Sequence, residues 1–199
     1  MKKWNVLLQL FTYGFLLFST PSCELFGLEF QYDYQNKTAP VQKELGMSCY
    51  EFIESRNQVD FCLLYEAIMR AEMQAIYETN DLTFFLLPDD QFADYLLSWR
   101  YESLQSVPKT VLQEMLQRYI IPGIYSVYEL SHSYTYVTTL NGTTVIRMYI
   151  PVRESTASQN INGIYAGWVQ SDGRVNNRGA FPGNLRPTNG IIHILTQRF

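Results

Sequence analysis

The stretch Pro187-Thr188-Asn189-Gly190-Ile191-Ile192-His193-Ile194-Leu195 decides the fold. Asn189-Gly190 reads as a tight corner, because both residue types tolerate positive φ, and Ile191, Ile192, Ile194 and Leu195 are a run of strand formers behind it. The expectation is a buried strand that carries His193, with the ring hydrogen-bonded in the core or under a loop.

Immediately upstream, the connection from Pro151 to Pro187 exceeds common loop lengths and must hold extra strand, loop or both. Asn162 to Val169 reads as strand, and Ser171 to Gly183 is rich in turn residues. Here lie the candidate binding residues Tyr165, Trp168, Arg174, Asn177, Arg178 and Phe181. Aromatic rings offer stacking area, and arginine with asparagine offers directed hydrogen bonds, a set suited to a glycan or a protein partner. The competing reading is that Tyr165, Trp168 and Phe181 complete the hydrophobic core.

Further upstream the chain alternates as β: Tyr125 to Tyr128, Tyr134 to Leu140, and Thr143 to Tyr149, the last two flanking Asn141-Gly142, a two-residue hairpin signal. Before Ile124 the period is helical. Ser48-Cys49-Tyr50-Glu51 has the capping-box spacing, predicting a short helix to about Ser55. Asp60 is expected to cap a second helix, on which Phe61, Leu64, Tyr65, Ile68, Ala71 and Ala75 share a face through about Tyr77. Asp81 to Leu87 is short and continuously apolar, a central strand stopped by Pro88, after which Asp89 and Asp90 favour a helix start. A last helix begins near Ser106-Val107-Pro108, buries Val111, Leu112, Met115, Leu116 and Tyr119, and is expected to run until Pro122-Gly123. Helices first and antiparallel strands afterwards, without βαβ alternation, describe an α+β domain.

In this order the motifs resemble the fasciclin-type domain. Thr83-Phe84-Phe85-Leu86-Leu87-Pro88-Asp89-Asp90-Gln91-Phe92 stands where that family has Thr-Val-Phe-Ala-Pro-Thr-Asn-X-Ala-Phe. Arg118-Tyr119-Ile120-Ile121-Pro122-Gly123 is similar to its Tyr-His-Val-Val-Pro-Gly segment, with Tyr119 in the place of the histidine. Thr139-Leu140-Asn141-Gly142 looks like its Thr-Leu-X-Gly hairpin, and Thr188 to Ile194 like its Asn-Gly-Val-Ile-His-Val-Ile ending, with Thr196 where an Asp is common. The resemblance spans 46–199. It implies a twisted antiparallel β-sandwich or wedge with N-terminal helices packed at one end, and a role in adhesion or protein interaction, not catalysis.

The beginning of the chain points to export. Lys2 and Lys3, the apolar stretch from Val6 to Phe18, and Ser19-Thr20-Pro21-Ser22 before Cys23 read as a signal peptide, 1–22. The stretch falls short of the ~20 apolar residues of a membrane span. Cys23 after small residues resembles a bacterial lipoprotein site, which implies acylation there; the alternative is a secreted protein cleaved nearby. Residues 23–45 read as a tether, unusual in carrying Phe26, Phe30, Tyr32 and Tyr34, and 46–199 as the domain. The lipoprotein site and the Tyr-rich chain resemble those of Bacteroidota. That resemblance implies an outer-membrane, cell-surface protein whose partner is an outer-membrane uptake complex or an extracellular glycan or protein.

Charge and chemistry narrow the classes. Residues 24–150 carry 8 Lys/Arg against 17 Asp/Glu, and 151–199 carry 5 Arg against 2 acids. An acidic body with a few basic late loops argues against nucleic acid. His132 sits between Ser131 and Ser133, but neighbours in an extended chain point to opposite faces, so a nucleophilic pair is not expected. No cofactor or metal is expected, since the two histidines are separated and no ordered ligand cluster accompanies them, while Asp89 and Asp90 suit a helix start better than calcium. Cys49 and Cys62 have neither metal nor redox spacing; buried free thiols are preferred to a disulfide.

Overall fold

The computed structural model describes residues 43–150, 164–175, 178–180 and 184–199, with 178–180 described as backbone. Cys23, Asn177 and Phe181, the signal peptide and most of the tether lie outside the described residues.

The helical half follows its local chemistry closely at the start. Helix α1, Cys49–Ser55, opens on the capping box: Ser48 accepts from the Glu51 amide, and the Glu51 carboxylate accepts from the Ser48 amide. Helix α2, Cys62–Ala71, is capped differently from the expectation. Asp60 is engaged by Arg56 at 2.8 and 2.6 Å, and the free amides of Cys62 and Leu63 donate instead to the carboxylate of Asp89, at 3.1 and 2.8 Å. Asp89 stands in the first turn of helix α4, Asp89–Ser98, so one carboxylate serves the positive ends of two helices. The long helix expected through Tyr77 is broken at Glu72, which adopts φ 54°; a short helix α3, Gln74–Tyr77, follows. Helix α5, Lys109–Gln117, buries Leu112, Met115 and Leu116 and packs on α2, whose buried residues are Leu64, Ala67, Ile68 and Ala71.

Among the described residues the strands form two open sheets. The first has the order β1 (Lys43–Glu44), β8 (Leu185–Arg186), β9 (Gly190–Ile194), β2 (Leu82–Leu86), β3 (Ile120–Pro122). The second has the order β4 (Thr135–Thr138), β5 (Val145–Tyr149), β6 (Ile164–Trp168), β7 (Arg178–Ala180), antiparallel throughout. The α+β class therefore holds, with one refinement: the first sheet is mixed, because β2 runs parallel to β9 and β1 parallel to β8. Lys43–Glu44 lies in the stretch read as tether.

Other differences have local causes. Ile120–Pro122 is a strand beside β2 and not the end of α5, since Ile120 and Ile121 are needed to cover the edge of β2. Tyr125 to Tyr128 is a loop and turn, pinned by the buried Thr83 hydroxyl, which donates to Gly123 O at 2.8 Å and accepts from Tyr125 N at 2.9 Å. At Asn141-Gly142 the strands do not close on a two-residue turn. Thr139 N donates to Thr144 O at 2.8 Å, leaving Leu140 to Thr143 as the turn, and Asn141 Oδ1 gathers the amides of Thr143 and Thr144 and the hydroxyl of Thr139. Cys49 is a buried free thiol as expected, but Cys62 is exposed at the start of α2.

Both sheets feed one core. Ile146, Met148, Ile164 and Ala166 on the inner face of the second sheet join Phe84, Leu86, Ile192 and the helical residues in a single buried cluster. The corner before β9 ties it together. Asn189 is buried; its Oδ1 accepts from Cys49 N at 2.9 Å and its Nδ2 donates to Tyr77 O at 2.9 Å and Thr79 O at 3.1 Å. Gly190 is required there for closeness, not for positive φ: a Cβ would sit 2.0 Å from the Leu82 carbonyl oxygen. Gly190→Ala must force β9 away from β2 and is expected to lower stability by about 3 kcal/mol. Asn189→Ala, which strands a buried amide and two carbonyls, should cost a similar ~3 kcal/mol. Urea unfolding followed by circular dichroism checks both, and a midpoint unchanged in either variant would contradict the role given to this corner.

Candidate functional site

His193 is the first chemical group to place, and the structure uses both of its nitrogens for support. The ring is wholly buried on β9, Nδ1 accepts from the Asn184 amide at 3.1 Å, and Nε2 donates to the Tyr125 carbonyl at 2.8 Å. An amide on one side and a carbonyl on the other define the neutral Nε2–H tautomer. Asn184 itself is buried at φ 67°, a conformation asparagine tolerates, and its Oδ1 accepts from Val127 N at 3.2 Å. The histidine thus fastens the loop after β3 to the last strand, and burial pushes its pKa down to about 4 despite the Tyr125 bond. His132 is exposed with Nδ1 bonded to Ile150 O at 2.8 Å, and the Ser131 hydroxyl accepts from Ser133 N. Among the described residues no group of three or more His, Cys, Asp or Glu is placed to hold a metal.

The expected binding residues are sorted by the pleat of β6. Residues 164, 166 and 168 face the core, and residue 165 faces out. Trp168 accordingly joins an inner aromatic cluster, 5.4 Å from the Tyr119 ring and 6.0 Å from Tyr95, with Phe199 at 5.9 Å; the Arg118 guanidinium lies over Trp99 at 4.7 Å and over Trp168 at 5.5 Å. Tyr119, at the histidine's place in the resemblance, stacks on Phe199 at 5.3 Å, and burial raises its phenol pKa well above the ordinary value. Trp168 therefore follows the core reading. Arg174 is exposed in the turn after β6 and pairs with Asp172 at 3.2 Å. Arg178 contributes backbone to β7, where Ala166 is its register partner.

Tyr165 does reach a surface, in company the connection alone did not reveal. The register places Tyr149 opposite Tyr165 and Gly179 beyond it, while Tyr136, Arg147 and Gly167 form the next row. Tyr134, just before β4, meets Tyr149 edge to face with ring centroids 5.0 Å apart, and Tyr149 lies 5.8 Å from Tyr165. The Arg147 guanidinium stands 4.3 Å over the Tyr134 ring and 5.9 Å from that of Tyr149. Tyr134 and Tyr136 are 55% and 56% exposed, so this aromatic face looks outward. Burial pushes the Tyr149 phenol pKa upward, as does Tyr134, against the pull of Arg147. The sequence held the signal: Tyr134 and Tyr136 are two apart, as are Arg147 and Tyr149, the spacing that puts strand residues on one face. A separate cleft of about 340 Å³ opens beside the start of β2 and β9, with Asp81, Arg186 and Thr188 in its wall and no aromatic ring.

No family model matches the chain, and no curated protein does. Among solved structures it is similar to a FAS1 domain pair from the insect cell adhesion molecule fasciclin I. The identity is 17% and the TM-score 0.49, over 67% of this chain and 42% of that one. The chain spans less than half the length of that structure. The two-sheet architecture rests on the chain's own strand register and core.

The buried neutral His193 makes stability pH-dependent. An unfolded histidine takes its proton near pH 6.5 and the native ring only near 4, so the unfolded state binds more protons between these values. Stability is full above about pH 6.5 and falls as pH drops towards 4, by about 3 kcal/mol from this group alone. Urea midpoints measured across that range should show this slope, and His193→Gln, less stable at neutral pH, should flatten it. An equal slope in the variant would refute the assignment.

Proposed function

We propose that this chain is a fasciclin-type envelope lipoprotein, anchored through Cys23 to the outer membrane and facing the cell surface, that works by binding and not by catalysis. The observation that carries the reading is the outward tyrosine face of the second sheet. A surface of Tyr134, Tyr136, Tyr149 and Tyr165 around Arg147 is what recognition surfaces are built from, large rings with polar tips that lose little side-chain entropy when ordered. The order of fasciclin-like motifs supports the family, and the commitment of both His193 nitrogens to backbone partners speaks against that residue as a general base.

Two roles fit a surface-anchored binder. In one it is an accessory subunit of an outer-membrane nutrient-uptake complex; in the other it is a free-standing adhesin. The accessory role is favoured by the Bacteroidota-like lipoprotein site and the Tyr-rich chain. Purification of the native protein in mild detergent tests the pair: an accessory subunit brings a large β-barrel protein with it, an adhesin does not. Co-purification of any specific partner should weaken in a Tyr134→Ala/Tyr165→Ala double variant, and a pull-down that returns no partner and no glycan would remove the binding reading. Intact mass measures the anchor. The expected species begins at Cys23 and carries added acyl mass; a mature protein starting there without that mass defeats the lipoprotein assignment.

A further inference from the structure

The sulfur of Met69 is where three helices meet. Met69 lies in the last turn of α2, and its Sδ accepts from the Tyr50 hydroxyl of α1 at 3.3 Å and from the side-chain amide of Gln74, the first residue of α3, at 3.0 Å. The helix break at Glu72 makes the second contact possible. With Glu72 at φ 54°, Glu72 N donates to Met69 O and Met73 N to Ile68 O, and the chain turns back so that the Gln74 amide reaches the sulfur. Tyr50 is held by stacking on Tyr65 of α2, with ring centroids 6.2 Å apart and 28° between the planes.

Two donors on a thioether are a poor match as they stand. A thioether sulfur is a weak acceptor, so both bonds contribute little to the junction they span. A sulfoxide oxygen carries far more negative charge and accepts strongly. Oxidation of a methionine ordinarily disrupts a fold because the new polar group lands among apolar neighbours with nothing to bond. Met69 has the opposite surroundings: the residue is 42% exposed, and two donors already point at its sulfur. Met73, Met115 and Met148 are buried and Met47 is half-buried, so among the described methionines Met69 is the one that an oxidant in solution reaches first.

We infer that Met69 is a sulfoxidation site, an oxidant sink in which Tyr50 and Gln74 receive the transferred oxygen and the three-helix junction stays folded. The co-reactant is a hydroperoxide. A lone pair of the Met69 sulfur attacks one peroxide oxygen, an S–O bond forms and the O–O bond breaks; with hydrogen peroxide the departing hydroxide takes the proton of the new S–OH group and leaves as water. Sulfur is oxidised by two electrons and the peroxide reduced by two, and a methionine sulfoxide reductase reverses the change. The oxygen stands one bond out from the sulfur, at a lone pair to which a donor already points, and joins α1, α2 and α3 more firmly than the thioether does. Nothing in this chemistry draws on the tyrosine face of the second sheet.

The test uses the full mature protein in detergent, its thiols first capped with iodoacetamide because Cys62 is an exposed free thiol and competes for peroxide. Limited hydrogen peroxide is added, peptide mass mapping locates the oxygen, and urea unfolding gives the midpoint before and after. Met69 is expected to gain one oxygen ahead of Met47, and roughly fivefold or more faster than Met73, Met115 and Met148. The midpoint of the protein oxidised at Met69 should equal or exceed that of the reduced form. Tyr50→Phe keeps the ring on Tyr65 and removes one donor, and Gln74→Leu removes the other. In each variant oxidation at Met69 should lower the midpoint, and methionine sulfoxide reductase should restore it. Met69→Leu should show no shift at the same peroxide dose; a shift there places the effect at another residue and overturns the assignment. So does another methionine oxidised first, or a wild-type midpoint that falls on Met69 oxidation as far as it does in the two variants.

Discussion

The side chain of Asn189 is the joint on which the helical and sheet halves depend. With one oxygen and one amino group it satisfies the first free amide of α1 and two carbonyls at the end of α3 while its own backbone leads into β9. Because Asn189 is buried with the Cys49 amide and the Tyr77 carbonyl, those two groups would otherwise lack a partner, and a lost bond there costs the whole desolvation of the group. Gly190 beside it allows β9 to lie against Leu82, and the parallel pairing from Leu82↔Gly190 to Leu86↔Ile194 follows from that contact. The order of the first sheet is therefore set at one corner.

How much of this is visible in the sequence depends on the range over which each interaction acts. The capping box of α1, the central strand Leu82–Leu86 and the buried strand around His193 are encoded within a few residues, and the sequence names them. The cap of α2 is not local: Asp60 has the right type and position, but Arg56 takes it, and the carboxylate that serves the helix lies 27 residues on. The same holds for Ile120–Pro122, whose strand state is imposed by its neighbour β2. Parallel pairing of β2 with β9 leaves no mark in either segment.

The binding residues show a different limit, one of attention to parity. Tyr165 and Trp168 are three residues apart, an odd step that sends them to opposite sides of β6. One became core beside Tyr119 and Phe199, the other surface beside Tyr149. Composition alone treats them as a pair. The strand period separates them, and it would have joined Tyr165 to Tyr149 once the register was known, which only the folded sheet provides.

The parallel union of β2 and β9 also bears on how the chain reaches its native state. Its register partners are more than a hundred residues apart, and the His193 ring waits on Tyr125 and Asn184 as well. Contacts of such separation close late and slow the search, since the loop between them must be ordered before the pairing rewards it. Until β9 arrives, β2 is an apolar strand with an open edge, the kind of edge that pairs with foreign chains. In a chain made from its N-terminal end, β2 is synthesised more than a hundred residues before the strand that covers this edge.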